Sequence, residues 1–195
     1  MARIKTALEI ALERASTIQV DPAKIALMEL EKKAGIIAHE LLENPASKLD
    51  NLLTDIGKEH RSELINMMQN LLLRHISLVP VVNEMLMDNV FSALRRIKEK
   101  PGKVDPIYQS ILQHLTSYGD QLKRYYENLK NQFSDQMDQM SAQMSQQMGM
   151  PVDIDPAQHP EFQKVWGQIK GQIDGQFGAH LENLVENLRS LKNLY

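Results

Sequence analysis

Six histidines, His39, His60, His75, His114, His159 and His180, are the side chains of this 195-residue chain best suited to hold a metal or move a proton near neutral pH. Their spacing matches no known arrangement for either task. His39-Glu40-Leu41-Leu42-Glu43 has the first half of a zinc-protease helix, but Glu43 stands where the second imidazole ligand belongs. No glutamate lies three residues before any histidine, so the Glu-x-x-His pairs of di-iron bundles are missing. Asp153, Asp155, His159 and Glu161 crowd one turn and could circle a divalent ion. They lack the spacing and glycine pivot of a calcium loop, and the simpler reading makes Asp155 a cap before Pro156. Cysteine is absent, which removes disulfides, thiol catalysis and thiolate-held metals. There is no nucleophile elbow, phosphate-binding loop or dinucleotide glycine signature. Arg74, His75 and Glu84, set in the most apolar region, are the only trio to inspect for catalysis. No catalytic, cofactor-binding or metal-ligating residue is assigned, and the chain is read as a non-enzyme.

Two other series point to binding. Met137, Met140, Met144, Met148 and Met150 recur at helical spacing near one end of a long pattern. Thioethers are flexible and polarizable, so they fill irregular gaps between helices or line an adaptable groove for a partner. Soft ligation of Cu(I) is the third possibility, disfavoured by the lack of cysteine and of histidines alternating with the methionines. Gly167, Gly171, Gly175 and Gly178 lie within a repeated Gly-Gln-apolar unit. Inside a helix these glycines cost roughly 3 kcal/mol together relative to alanine. A surface that approaches the bare backbone closely would offset that cost. The partner-binding assignment is therefore Met137, Met140, Met144, Met148, Met150, Gly167, Gly171, Gly175 and Gly178.

The elements that must position these residues are helices. Hydrophobic residues make up 43% of the chain, enough for a core, but aromatics are only 5% and no stretch alternates with period two. From Pro106 to Met148 the apolar stripe runs Ile111, Leu115, Tyr118, Leu122, Tyr125, Leu129, Phe133 and on into the methionines. A second stripe runs from Pro160 through Phe162, Trp166, Ile169, Ile173, Phe177, Leu181, Leu184, Leu188 and Leu191. Steps of three and four mark one buried face on each. The breakers Gly149, Pro151 and Pro156 reverse the chain between them. The fold class is thus all-α, with an N-terminal helical bundle over 1–100 and a long antiparallel, coiled-coil-like hairpin over 105–195, its arms at 106–148 and 160–195.

Within the first hundred residues, helices are expected over Arg3–Ser16, from Asp21-Pro22 to Asn44-Pro45, briefly around Leu49–Ile56, and from Lys58 to about Leu78. Pro80 kinks this last helix or divides it from the next, and apolar content continues to Lys100. The basic cluster Arg95, Arg96, Lys98, Lys100 and Lys103 reads as a solvated helix C-terminus complementing the dipole. A formal charge of −3 gives no general pull toward nucleic acid. Polar residues interrupt every apolar run before it reaches the roughly 20 residues of a membrane span. A cytoplasmic location is expected.

The opening Ile4-Lys5-Thr6-Ala7-Leu8-Glu9-Ile10-Ala11-Leu12-Glu13-Arg14-Ala15 resembles the start of a family of short, uncharacterised bacterial helical proteins. That resemblance implies an all-helical fold and carries no activity or site residues. The expected function is a non-enzymatic protein–protein interaction module: an adaptor, assembly factor or chaperone-like binder. The alternative is a self-assembling coiled-coil protein, with a homo-oligomer built on the same stripes. An enzyme or a metal-binding bundle ranks last.

Overall fold

The computed structural model describes residues 22–150 and 155–195, apart from the side chains at 135, 136, 139, 144 and 148. The expected helix over Arg3–Ser16, the Asp21 cap, Asp153 and the family-like opening lie outside those residues. The fold is all-α. Its helices are α1 (Pro22–Glu43), α2 (Leu49–Leu52), α3 (Lys58–Leu73), α4 (Glu84–Ile97), α5 (Val104–Met148) and α6 (Pro160–Ser190). Short 3₁₀ turns at Pro101–Lys103 and Pro156–Gln158 precede the last two.

Helix ends follow local chemistry. Helix α1 stops one residue before Asn44-Pro45, and the Asn44 side chain accepts from the Ala46 backbone N–H at 3.2 Å. Asn83 caps α4 by accepting from the Leu86 N–H at 3.1 Å. Helix α5 closes on Gly149, whose φ of 68° is the left-handed C-terminal conformation glycine adopts cheaply. Helix α3 ends at Leu73, not near Leu78, so the connection to α4 is longer than the periodicity suggested. Apolar residues continue past the helix because Ile76, Leu78 and Val82 reach the core from the irregular 74–83 connection.

Helices α1, α3 and α4 pack together over a core that includes Leu41, Leu64, Ile65, Met68, Leu72, Val90, Phe91 and Leu94, all fully buried. The same cluster continues into the start of α5 through Ile111 and Leu115, and into the end of α6 through Leu181 and Leu188. Beyond that, α5 and α6 run on against each other and enclose a second, smaller cluster around Tyr118, Leu122 and Ile173. Their pairing is antiparallel: His114 meets Phe177, Tyr118 meets Asp174, Tyr126 meets Trp166 and Phe133 meets His159. Helix α5 spans about 68 Å at 1.5 Å per residue, which leaves its far half beyond the bundle's reach.

Among the described residues the seam differs from the expected stripe at Tyr125 and at Met140. Tyr125 is 43% exposed, and Tyr126 turns inward to meet Phe162 and Trp166 edge-to-face at 5.5 and 5.1 Å. With Tyr126 the inward steps from Tyr118 to Leu129 are four, four and three, a spacing that departs from the strict heptads of a left-handed supercoil.

Candidate partner-binding surface

The glycines of α6 face away from α5. Phe162, Ile173, Leu181 and Leu188 fill its buried side, so Gly167, Gly171 and Gly175 fall on the opposite, exposed stripe. A Cβ added at any of the three would meet no described atom within 4 Å. The close approach expected for them is therefore not supplied by α5. Gly178 differs, since its added Cβ would lie 4.0 Å from Leu78 Cδ1, an ordinary contact within the fold. Lys164, Gln168, Gln172, Ala179 and Glu182 complete the outer face, which is smooth and polar.

The methionines divide. Met137 is 2% exposed, so it belongs to the hairpin interior and not to a free surface, a correction to its assignment. One helical turn on, Met140 is 43% exposed, and Met150 at the turn is 57% exposed. The Met144 and Met148 side chains lie outside the described residues. Thus Met137 lies in the seam while the α6 glycines lie on its outer side, and Met140 and Met150 are open to solvent near the turn.

A groove of about 740 Å³ lies between the 74–83 connection and the α5–α6 seam. Val81, Val82, Leu115, Leu122, Tyr126 and Trp166 give it an apolar lining. Gly119 makes it possible: any Cβ there would overlap the Pro80 carbonyl oxygen, so the connection crosses α5 only over a glycine. Sequence reasoning missed this groove because it ran α3 to about Leu78 and read Pro80 as a kink or division between helices, leaving no extended connection to cross α5.

Polar groups in the seam are organised. The Tyr118 hydroxyl donates to Asp174 Oδ1 at 2.7 Å, and Lys170 Nζ meets Asp174 Oδ2 at 2.5 Å. Lys170, with help from the Tyr118 hydroxyl, holds the Asp174 carboxyl below the usual carboxylate range. Burial, then Asp174, raises the Tyr118 phenol, which fits a structural donor better than a base. At the hairpin's base, burial and Asp88 push the Tyr108 phenol up to about 12, and Arg95 lies over its ring while pairing with Asp105 at 2.5 Å.

Lys98 is the clearest departure from the sequence reading, which left it in a solvated basic cluster. It is 1% exposed, and Nζ donates to Gln69 Oε1 and to the Leu191 carbonyl, each at 2.6 Å. Burial lowers its pKa to about 8. Gln69 Nε2 also donates to the Arg189 carbonyl at 3.2 Å, so two side chains from different elements satisfy the last carbonyls of α6. Leu194 N–H to Ile97 O and Glu99 N–H to Lys192 O complete this clasp.

Arg74, His75 and Glu84 are all exposed and do not converge. Arg74 lines one depression with Met67 and Leu71, Glu84 lines the groove described above, and His75 lines neither. Asp155 caps the 3₁₀ turn by accepting from the Ala157 N–H at 3.1 Å, as its place before Pro156 suggested, and pairs with Lys130 at 3.5 Å. His159 Nδ1 accepts from the Glu161 N–H at 3.3 Å as the α6 cap. Among the described residues no helix is long and apolar enough to cross a membrane.

Comparison with known proteins adds one finding. No curated protein and no solved structure matches the chain. Residues 50–190, running from α2 through the whole of the hairpin, match a family of unknown function, and the chain belongs to that family, DUF6657.

Proposed function

We propose that this protein is a non-enzymatic interaction module, an adaptor, assembly factor or chaperone-like binder of the cytoplasm, which docks a protein partner on the far half of the α5–α6 hairpin. The observation that carries the reading is the uncovered stripe Gly167, Gly171 and Gly175, with no described atom within 4 Å of an added Cβ. Each exposed interior glycine costs a helix about 1 kcal/mol relative to alanine, and packing among the described residues does not offset it. A partner helix seated on that stripe would gain backbone-close contact that any side chain would block. Met140 and Met150, both exposed, extend the surface to the tip, where adaptable thioethers suit a partner of irregular shape.

A second reading, self-assembly, is favoured by the order of residues on the same face. Lys164, Gly171, Gly175 and Glu182 are exposed and nearly symmetric about Ile173. An antiparallel second copy would set Gly171 against Gly175 and Lys164 against Glu182 at both ends, the self-complementary pattern of a two-fold interface.

Sedimentation over a concentration series, alongside affinity capture from host extract, tests both. Gly171→Ala with Gly175→Ala should weaken capture under the first reading and dimerisation under the second. Association unchanged by the double substitution would remove the glycine face from the site.

A further inference from the structure

We propose that His114 and His180 form a two-histidine site for a divalent late transition metal, clipping α5 to α6 where the bundle core gives way to the hairpin's own core. The two rings come from different arms, and their centroids lie 4.6 Å apart. Two imidazoles sharing one ion at about 2.0–2.1 Å, each centroid roughly 1.1 Å beyond its nitrogen, place their centroids about 5.1 Å apart at a near-tetrahedral angle. The observed spacing is about half an ångström shorter, a gap that a small turn of the exposed His180 ring closes.

His114 is prepared as a ligand. Its Nε2 lies 2.9 Å from the Phe177 carbonyl oxygen, and a carbonyl only accepts, so Nε2 carries the proton. The other nitrogen, Nδ1, is then left with its lone pair. A backbone carbonyl that fixes tautomer and ring orientation in this way is the usual support behind a metal-binding histidine. The Phe177 ring stacks on His114 at 4.8 Å and holds it from one side. His180 is exposed, so its ring is free to turn and the site opens to solvent.

Among the described residues no third histidine or carboxylate joins the pair. Two imidazoles with water in the remaining positions suit Cu²⁺, Ni²⁺ and Zn²⁺ better than oxygen-seeking Mg²⁺ or Ca²⁺, with Cu²⁺ held most tightly. The open positions would let a bound ion accept one more donor from a docked molecule.

Thermal unfolding of the full chain, followed by circular dichroism in EDTA and in rising ZnCl₂, tests the site. A ligand that binds the folded state raises the midpoint with concentration; zinc should do so for the wild type and for His39→Ala. His180→Ala, an exposed change, should keep the EDTA midpoint and lose the zinc response. Paramagnetic resonance with Cu²⁺ should report two imidazole nitrogens in the wild type and fewer in His180→Ala. A wild-type midpoint that stays put or falls in zinc, or a His180→Ala variant with the wild-type zinc and copper responses, would overturn the assignment.

Discussion

The base and the far half of the α5–α6 hairpin are built from one pair of helices by two different means. At the base, Val104, Ile111, Leu115, Leu181 and Leu188 join the main core, and neighbours from α3 and α4 surround them. Past Tyr118, among the described residues, the pair has only itself and the 74–83 connection. There the aliphatic residues thin out, and Tyr126, Phe133, Phe162 and Trp166 meet edge-to-face at 5.1–5.6 Å. Aromatic rings bury more area per residue and gain about 0.5–1.5 kcal/mol per well-oriented pair beyond it. A two-helix seam, which cannot surround its residues, compensates with larger ones. The bundle surrounds the base, while the far half holds together by pairwise contacts, its outer face exposed among the described residues.

Substitutions in the two halves should therefore behave differently. Leu188→Ala, fully buried at the base, should cost about 2–5 kcal/mol of global stability, read as a lower denaturant midpoint with unchanged slope. Phe162→Ala removes a ring that touches both Tyr126 and Phe133 and has a comparable intrinsic cost of about 3–5 kcal/mol. Much of it should appear as local opening: hydrogen exchange should quicken at the ends of α5 and α6 flanking the turn while amides near Leu188 keep their protection. Equal loss of protection in both halves would mean that the hairpin is a single cooperative unit.

Gly119→Ala attacks the boundary between the halves. The new methyl group would overlap the Pro80 carbonyl, a backbone atom that cannot swing aside, so the connection must lift from α5. Overpacking of this kind costs about 1–3 kcal/mol and should open the groove wall at Val81 and Val82. Protease cleavage within 74–83 would report it.

Much of this contrast was legible in the sequence. Asn44-Pro45, the Pro101-Gly102 break and Pro160 set helix limits through fixed φ and missing donors, which act locally. The two apolar stripes gave the antiparallel seam because period-3.6 spacing needs no knowledge of the partner. What failed depended on neighbours distant in sequence. Tyr125 and Tyr126 are adjacent and alike, and only the position of Phe162 and Trp166 on the other arm decides which turns inward. Lys98 looked like its basic neighbours, and its burial follows from the arrival of the end of α6, more than ninety residues later. The glycine stripe was visible, but the side of α6 it occupies relative to α5 was not. Of the proposed surface, Met137 was misassigned because helical spacing alone cannot separate a seam position from an exposed one a turn away.

Lys98 also gives the base a pH response of its own in the alkaline range. Its pKa is about 8 in the folded chain against 10.5 for an ordinary lysine. Between those values the unfolded chain holds the proton and the folded chain has released it, so stability from this group should rise with pH across the window. Below pH 8 both states are charged, and the folded state carries the full desolvation penalty. Lys98→Met should flatten the dependence between pH 8 and 10.5 in urea titrations. A profile identical to wild type would mean that the ammonium is better solvated than its 1% exposure implies.

The smallest effect concerns the outer face of α6, and its sign is the informative part. Gly171→Ala and Gly175→Ala place methyl groups where no described atom lies within 4 Å. Each should stabilise the isolated chain by up to about 1 kcal/mol through helix propensity, seen as a higher thermal midpoint. If that face serves a partner, the same pair should weaken association, so stability and binding move in opposite directions. A purely structural role for the glycines predicts that the midpoint falls. A rise without any loss of association would mean that the bare stripe is tolerated and not used, since an exposed helix that gains stability from alanine at no functional cost has no physical need for glycine there.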